Sequence, residues 1–326
     1  MTVHPFHERK TRMRAIGIEQ FGEPEVLKVV ERPLPDPGPE HVRIRVAGAA
    51  VNPTDLLLRE GKLAAVVAEF EPPYIPGMDA SGVVDAVGEG VDLEVGTPVM
   101  AFVNPFRAAG GAQAEYIVVP VDQVVAAPRG LDLRDVAGLP MNGLTAHLAL
   151  SLLDLPAGAT LAVTGAAGAL GGYAVQLASH RGLRVVADAS ERDAELVRSL
   201  GADLVVPRAA EAAGLVDSYR NAVPEGVDGL LDAAIIGAPA LGVVRNGGQL
   251  AKCRPYELAS ERGITVHQVH VPSHPAKRTV LRELAELAEA GVLTLRTADL
   301  FPPEKAAEAH ARLEAGGVRG RLIIAF

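Results

Sequence analysis

The chain has 326 residues, 48% of them hydrophobic and 22% charged, and a formal net charge of −9; the length suits two ordinary domains, and the acidic balance offers no basic surface to nucleic acid. Cys253 is its one cysteine, which excludes an intrachain disulfide framework and a cysteine-rich zinc site, and fits a reducing, cytoplasmic compartment. No apolar run of about 18 residues is free of charges and turn formers, so no membrane span is expected.

Residues 1–12, MTVHPFHERKTR, are polar and basic with no apolar stretch behind them. They read as a disordered extension, not a secretory signal. Strands follow at MRAIGIEQFG (13–22), HVRIRVAGAAV (41–51), SGVVDAVGEGV (81–91) and AEYIVVP (114–120). The alternation of apolar and polar residues and the glycine turns mark a β-rich domain. The pattern turns helical over 131–155, which is rich in alanine and leucine. Strand candidates then recur at 160–164, 183–188, 202–206, 227–234, 248–253 and 264–271, most of them separated by helical stretches. Repeated βα units predict a doubly wound parallel sheet, so the fold class is α/β with a Rossmann domain beside the β-rich one. Over 275–291, Val280, Leu281, Leu284, Leu287 and Ala288 share one helical face, and Gly291 stands where a C-terminal cap belongs. The strand RLIIAF closes the chain.

Between the strand 160–164 and the helix after it lies GAAGALG, with Gly165, Gly168 and Gly171. Glycines let a chain turn sharply and approach a ligand closely, and a helix N-terminus offers free N–H groups to a pyrophosphate. The spacing is G-x-x-G-x-x-G, and its place between strand and helix makes Gly165, Ala166, Ala167, Gly168, Ala169, Leu170 and Gly171 a dinucleotide loop. The end of the next strand sends two signals. Asp188 stands where a carboxylate takes a ribose 2′-hydroxyl, which implies NADH. Ser190 and Arg192 follow at once and suit a 2′-phosphate, which implies NADPH.

Several motifs occur together in one order: VNPTD (51–55), PPYIPGMDASGVVDAVGEGV (72–91), GGAQAEYIVVP (110–120), AGLPMNGLTAHLAL (137–150), VTGAAGALGGYAVQLAS (163–179), LVRSLGADLVV (196–206) and GGVRGRLII (316–324). With these the chain resembles the zinc-free medium-chain dehydrogenases/reductases, in the NADPH:quinone oxidoreductase group. The resemblance runs from Met13 to Phe326. It implies a GroES-like substrate domain over 13–134 and 273–326, a Rossmann domain over 135–272, an active site in the cleft between them, and a homodimer paired through the edge strand 264–271. It also implies Asn52 beside nicotinamide and substrate, Thr145 at the nicotinamide end, Gly237 closing a strand over the cofactor, and Arg321 near the cofactor phosphates. Asp55 reads as a helix cap and Tyr74 as either a cleft residue or a packed loop residue.

The zinc enzymes of that superfamily use an early cysteine and a His–Glu pair. Here Met78 and Asp79 hold the pair's positions, and a thioether with one carboxylate does not replace those ligands. His267, His270 and His274 fall on a strand and the turn after it, as surface or interface residues. Without a metal, hydride is expected to pass to a conjugated carbon, where charge delocalises onto a carbonyl oxygen, so the expected substrate is a quinone or an α,β-unsaturated carbonyl. The alternatives are an enoyl-thioester reductase and an NADPH-binding protein with little turnover. Leu56, Leu57 and Leu58 fill the positions where enoyl reductases carry a proton-donating tyrosine. No nucleic-acid or membrane partner is expected.

Overall fold

The computed structural model describes residues 11–274 and 277–326. In chain order the elements are β1 (Arg12–Ile18), β2 (Leu27–Pro33), β3 (His41–Ala50), α1 (Pro53–Arg59), β4 (Asp79–Val87), β5 (Pro98–Phe102), β6 (Tyr116–Pro120), β7 (Val124–Ala126), α2 (Leu133–Val136), α3 (Pro140–Leu153), β8 (Thr160–Val163), α4 (Ala169–His180), β9 (Arg184–Ala189), α5 (Ala194–Ser199), β10 (Leu204–Pro207), α6 (Ala212–Ala222), β11 (Val227–Asp232), β12 (Val244–Lys252), β13 (Thr265–Gln268), α7 (Lys277–Glu289), β14 (Thr297–Phe301), α8 (Ala306–Glu314) and β15 (Arg321–Ala325). No helix among the described residues is long and apolar enough to cross a membrane.

The chain divides into two compact units. The first runs up to Ala127 and takes in Asp299–Gly317 and Leu322–Phe326. Its main sheet has the order β14-β15-β3-β4-β5-β7, with β6 also paired to β3, and β1 and β2 form a separate antiparallel pair. Period-two patterning builds it: Val42, Ile44 and Val46 of β3 are buried, while Arg43 turns outward to Asp85 at 2.6 Å. Gly82 faces the irregular stretch of β3, where a Cβ would stand 2.1 Å from the Arg45 carbonyl oxygen.

The second unit is Pro128–Ala298 with Val318–Arg321. Its six strands lie in the order β10-β9-β8-β11-β12-β13, all parallel. Central strands such as β8 and β9 are buried on both faces, as a sheet flanked by helices requires. The order reverses between β8 and β11, and in such sheets a ligand crevice opens at the carboxyl ends beside that point.

The structure departs from the sequence reading in four places. Residues 1–10 of the expected extension lie outside the described residues, but Arg12 already opens β1 and pairs with Glu31 at 2.8 Å. The helical run 131–155 is broken by Pro140, whose fixed φ begins α3 afresh. The strands β2, β5, β7 and β14 were not anticipated. The expected return to the β-rich domain at residue 273 comes later, because α7 packs on α3: a Cβ at Gly143 would stand 2.8 Å from the Leu284 side chain. Pro275 and Ala276 of the expected helix lie outside the described residues.

Candidate functional site

β8 ends at Val163, and the chain turns through Gly165 (φ +68°) into α4, whose N-cap is Gly168. The Gly168 N–H donates to the Gly165 carbonyl at 2.9 Å, which closes the loop on itself. Gly171 packs α4 against this loop: a Cβ there would meet the Gly165 oxygen at 2.4 Å and the Ala166 Cα at 2.8 Å. Ala166, Ala167, Ala169 and Leu170 complete a turn whose helix N-terminus suits a pyrophosphate.

Asp188, at the end of β9, has a different task from the one expected. It is fully buried, and its Oδ1 accepts from the Gly165 N–H at 2.6 Å and from the Tyr219 hydroxyl at 3.4 Å. Its Oδ2 lies 3.4 Å from Arg208 Nη1. Burial raises its pKa above the usual carboxylate value, against the lowering by these partners. Asp188 therefore holds the glycine loop from beneath.

Ser190 stands at the rim, with its Oγ donating to Asp193 Oδ2 at 2.5 Å. Asp193 also accepts from Arg319 Nε at 2.9 Å and Nη2 at 2.5 Å. Arg192 turns into solvent, 73% exposed and 3.8 Å from Asp193. Ser190, Arg198 and Arg208 line a pocket of about 270 Å³ at the ends of β9 and β10. Sequence reading found Ser190 there but not Arg198 or Arg208.

The Arg319 bond, ahead of the Ser190 bond, holds the Asp193 carboxyl at about 2. Its folded pKa is thus depressed, so its contribution to stability is complete above the unfolded value of about 4 and is lost as pH falls toward 2. Acid unfolding monitored in the wild type and in Asp193→Asn should converge as pH falls through that window. A constant gap between the two would contradict the assignment.

At the end of β11, Asp232 gathers a buried network. It accepts from Thr164 Oγ1 at 2.9 Å, the Ile236 N–H at 3.0 Å, the Gly237 N–H at 3.1 Å and the Tyr256 hydroxyl at 3.0 Å. Gly237 takes φ +75°, which explains glycine at that turn. Ile235 beside it also has positive φ, +59°, a costly conformation for a β-branched residue and one that clusters at ligand sites. Cys253 follows β12 here, and burial, with Asp232 second, pushes its thiol up to about 12.

Arg321 is buried against α3. With the Asn142 amide turned to accept, its Nη2 and Nε donate to that oxygen at 3.1 and 3.0 Å. Among the basic residues of the GGVRGRLII segment it is Arg319, not Arg321, that joins the Ser190 rim. Thr145 is also buried in α3, and its Oγ1 donates to the Met141 carbonyl one turn back at 2.6 Å.

In the first unit Asn52 is the N-cap of α1. Its N–H donates to Asp55 Oδ2 at 2.7 Å, and its Nδ2 donates to Asp79 Oδ2 at 2.8 Å. Asp55 also accepts from the Gly77 N–H at 2.8 Å, so it caps the helix and ties the 77–79 loop to it. Asn52, Asp55 and Asp79 are all nearly or fully buried, which fixes the amide's orientation. Tyr74 stacks on Phe21 with ring centroids 5.5 Å apart, as a packed loop residue would.

The three histidines have separate surroundings: His267 lies 2.7 Å from Gln249, His270 lies 2.8 Å from Ser273, and the His274 backbone carbonyl accepts from Lys277 Nζ at 2.8 Å. Among the described residues no group of three or more His, Cys, Asp or Glu is placed to hold a metal ion.

Comparison with known proteins gives consistent matches. Residues 38–129 match the family described as "Alcohol dehydrogenase GroES-like domain", and residues 200–324 match "Zinc-binding dehydrogenase". At positions 78 and 79, which lie in the first match, the donors do not fit zinc, since Met78 brings a thioether and Asp79 is engaged by the Asn52 amide. The chain is 30% identical over 322 residues to an NADPH-dependent alkenal/one oxidoreductase of Arabidopsis thaliana, covering 96% of this chain and 79% of that one. It is 29% identical to a quinone oxidoreductase of Sus scrofa, covering 96% of this chain and 97% of that one. The solved quinone oxidoreductase of Coxiella burnetii superposes with a TM-score of 0.85 at 26% identity, over 97% of this chain and 99% of that one. With a GroES-like unit, a six-stranded parallel unit bearing the glycine loop, and relatives matched along nearly its whole length, the chain belongs to the medium-chain dehydrogenase/reductase superfamily, in its quinone oxidoreductase group.

Proposed function

We propose that the chain is an NADPH-dependent reductase that delivers hydride to a quinone or an α,β-unsaturated carbonyl without zinc. The carrying observation is the loop Gly165–Gly171 at the switch point of the sheet, with Ser190, Arg198 and Arg208 around a pocket one strand away. The N–H groups at the start of α4 take the pyrophosphate, and the two arginines with Ser190 take a 2′-phosphate. Gly237 lets the chain pass close to the nicotinamide half. Bound NADPH supplies a hydride at its reduced nicotinamide ring.

Asn52 is our candidate for orienting the acceptor carbonyl. Asp79 holds its side-chain amide and Asp55 its backbone N–H, which favours a fixed hydrogen bond over a mobile one. Thr145 is our candidate at the nicotinamide end. The edge strand β13 supports a homodimer, and sedimentation at the mass of one chain would refute it.

The direct test follows loss of reduced-nicotinamide absorbance across a panel of quinones and enones. We expect turnover with NADPH at least about tenfold above NADH in kcat/KM, which is about 1.4 kcal/mol. Arg208→Ala should remove most of that preference. Equal use of both nucleotides by the wild type would sink the 2′-phosphate assignment, and no turnover with any acceptor would sink the activity.

A further inference from the structure

Arg296 lies between α7 and β14, far in sequence from the glycine loop, yet its guanidinium reaches that loop. Nη1 donates to the Ala167 carbonyl at 3.0 Å and Nη2 to the Gly168 carbonyl at 2.8 Å. The planar fork of arginine suits two neighbouring acceptors in a way that an ammonium does not. Among the described residues Arg296 forms no ion pair with a carboxylate.

Two glycines make room for it. A Cβ at Gly172 would stand 2.2 Å from Nη2. A Cβ at Gly320 (φ +126°) would stand 2.3 Å from the Arg296 carbonyl oxygen, which accepts from the Arg321 N–H at 2.7 Å. The helix and the glycine loop thus meet the Arg296 guanidinium, and the GGVRGRLII segment meets its backbone carbonyl.

An anion-binding loop has a geometric problem. Its N–H groups must face the ligand, so its carbonyls must face elsewhere and still find donors. The Gly168 carbonyl shares its peptide unit with the Ala169 N–H, which belongs to the open first turn of α4. That carbonyl also accepts the Gly172 N–H at 2.9 Å, so the guanidinium is its second donor and adds to the hold on the peptide plane and to the polarisation of its N–H.

We infer that Arg296 is a positioning residue for the dinucleotide: its fork holds the Ala167 and Gly168 carbonyls and so aims the helix N–H groups at the pyrophosphate. This rests on the cofactor reading above. Burial lowers the Arg296 pKa from the ordinary guanidinium value, so a bound polyphosphate also supplies the negative charge that its surroundings provide only weakly.

The test compares NADPH with adenosine 2′-monophosphate, which carries the 2′-phosphate but no pyrophosphate. Arg296→Met should weaken NADPH about tenfold or more, the loss expected for hydrogen bonds from a charged donor, and leave the monophosphate within about twofold. Gly172→Ala should act in the same direction, because the added methyl displaces the fork while the charge and the loop sequence stay intact. Arg296→Lys should fall between. The change should appear in KM for NADPH, with kcat at saturation largely kept. NADPH affinity equal to wild type in both Arg296→Met and Gly172→Ala would overturn the inference. So would a parallel loss of the monophosphate, which would make Arg296 a prop of the whole unit. A wild type that binds neither probe would bring down the cofactor reading itself.

Discussion

Gly171→Ala is expected to lose tight NADPH binding while the second unit stays folded. The new Cβ would fall 2.4 Å from the Gly165 oxygen and 2.8 Å from the Ala166 Cα. Both are backbone atoms of the loop, so no side chain can step aside. Relief requires α4 to move away from the turn that its own N-terminus serves. Overpacking of this kind costs about 1–3 kcal/mol, against a gain of up to ~1 kcal/mol from replacing glycine inside a helix. Stability therefore changes modestly. The displaced N–H groups no longer meet the phosphates together, and we expect a loss of about 100-fold in affinity, near 2.7 kcal/mol. Thermal melts with and without NADPH are the check: the wild type should gain stability from the nucleotide and the variant should gain almost none. An equal upward shift in both would show that the close packing of helix and loop is irrelevant to binding.

Asp188→Ala should damage the same loop from below, and here folding also suffers. The substitution leaves the Gly165 N–H without its acceptor and takes from Arg208 its buried counter-charge. Tyr219 keeps its second bond, to the Val163 carbonyl at 2.8 Å. A buried donor left unmade costs about 1–3 kcal/mol; the loss of the charge partner adds little, because the Arg208 side chain is half exposed and solvated. Asp188→Asn retains an acceptor for Gly165 and should lose roughly half as much. Chemical denaturation of the three proteins gives the ranking. If Asp188→Ala kept wild-type stability but lost NADH binding selectively, the carboxylate would be a ribose ligand after all, and the buried geometry would have been misread.

The glycine loop was legible because its chemistry is local: a strand, a turn that needs glycine and a helix occupy one short stretch. The central parallel strands β8, β9 and β11 were legible for a similar reason, since runs buried on both faces stand out from their surroundings. What the chain did not disclose was which distant groups meet. Asp188 has the spacing of a ribose ligand, and nothing near it in sequence says that Gly165 and Tyr219 enclose it. Arg319 and Arg321 are two residues apart, and only the fold decides that one reaches Asp193 while the other lies under Asn142. The apolar face of α7 was plain in its periodicity, but periodicity does not name the neighbour. That is why its membership of the parallel-sheet unit was missed.

The burial of Cys253 bears on what this chain can survive. Quinones and enones are electrophiles that alkylate thiolates, and a protein that turns them over meets them at high local concentration. A free cysteine is a few per cent thiolate near neutral pH. With its thiol pushed up to about 12, Cys253 holds far less thiolate at neutral pH than a free cysteine does. The chain has no other cysteine. Its one thiol is thus held in the protonated form, the form in which a thiol reacts slowly with arylating and alkylating compounds.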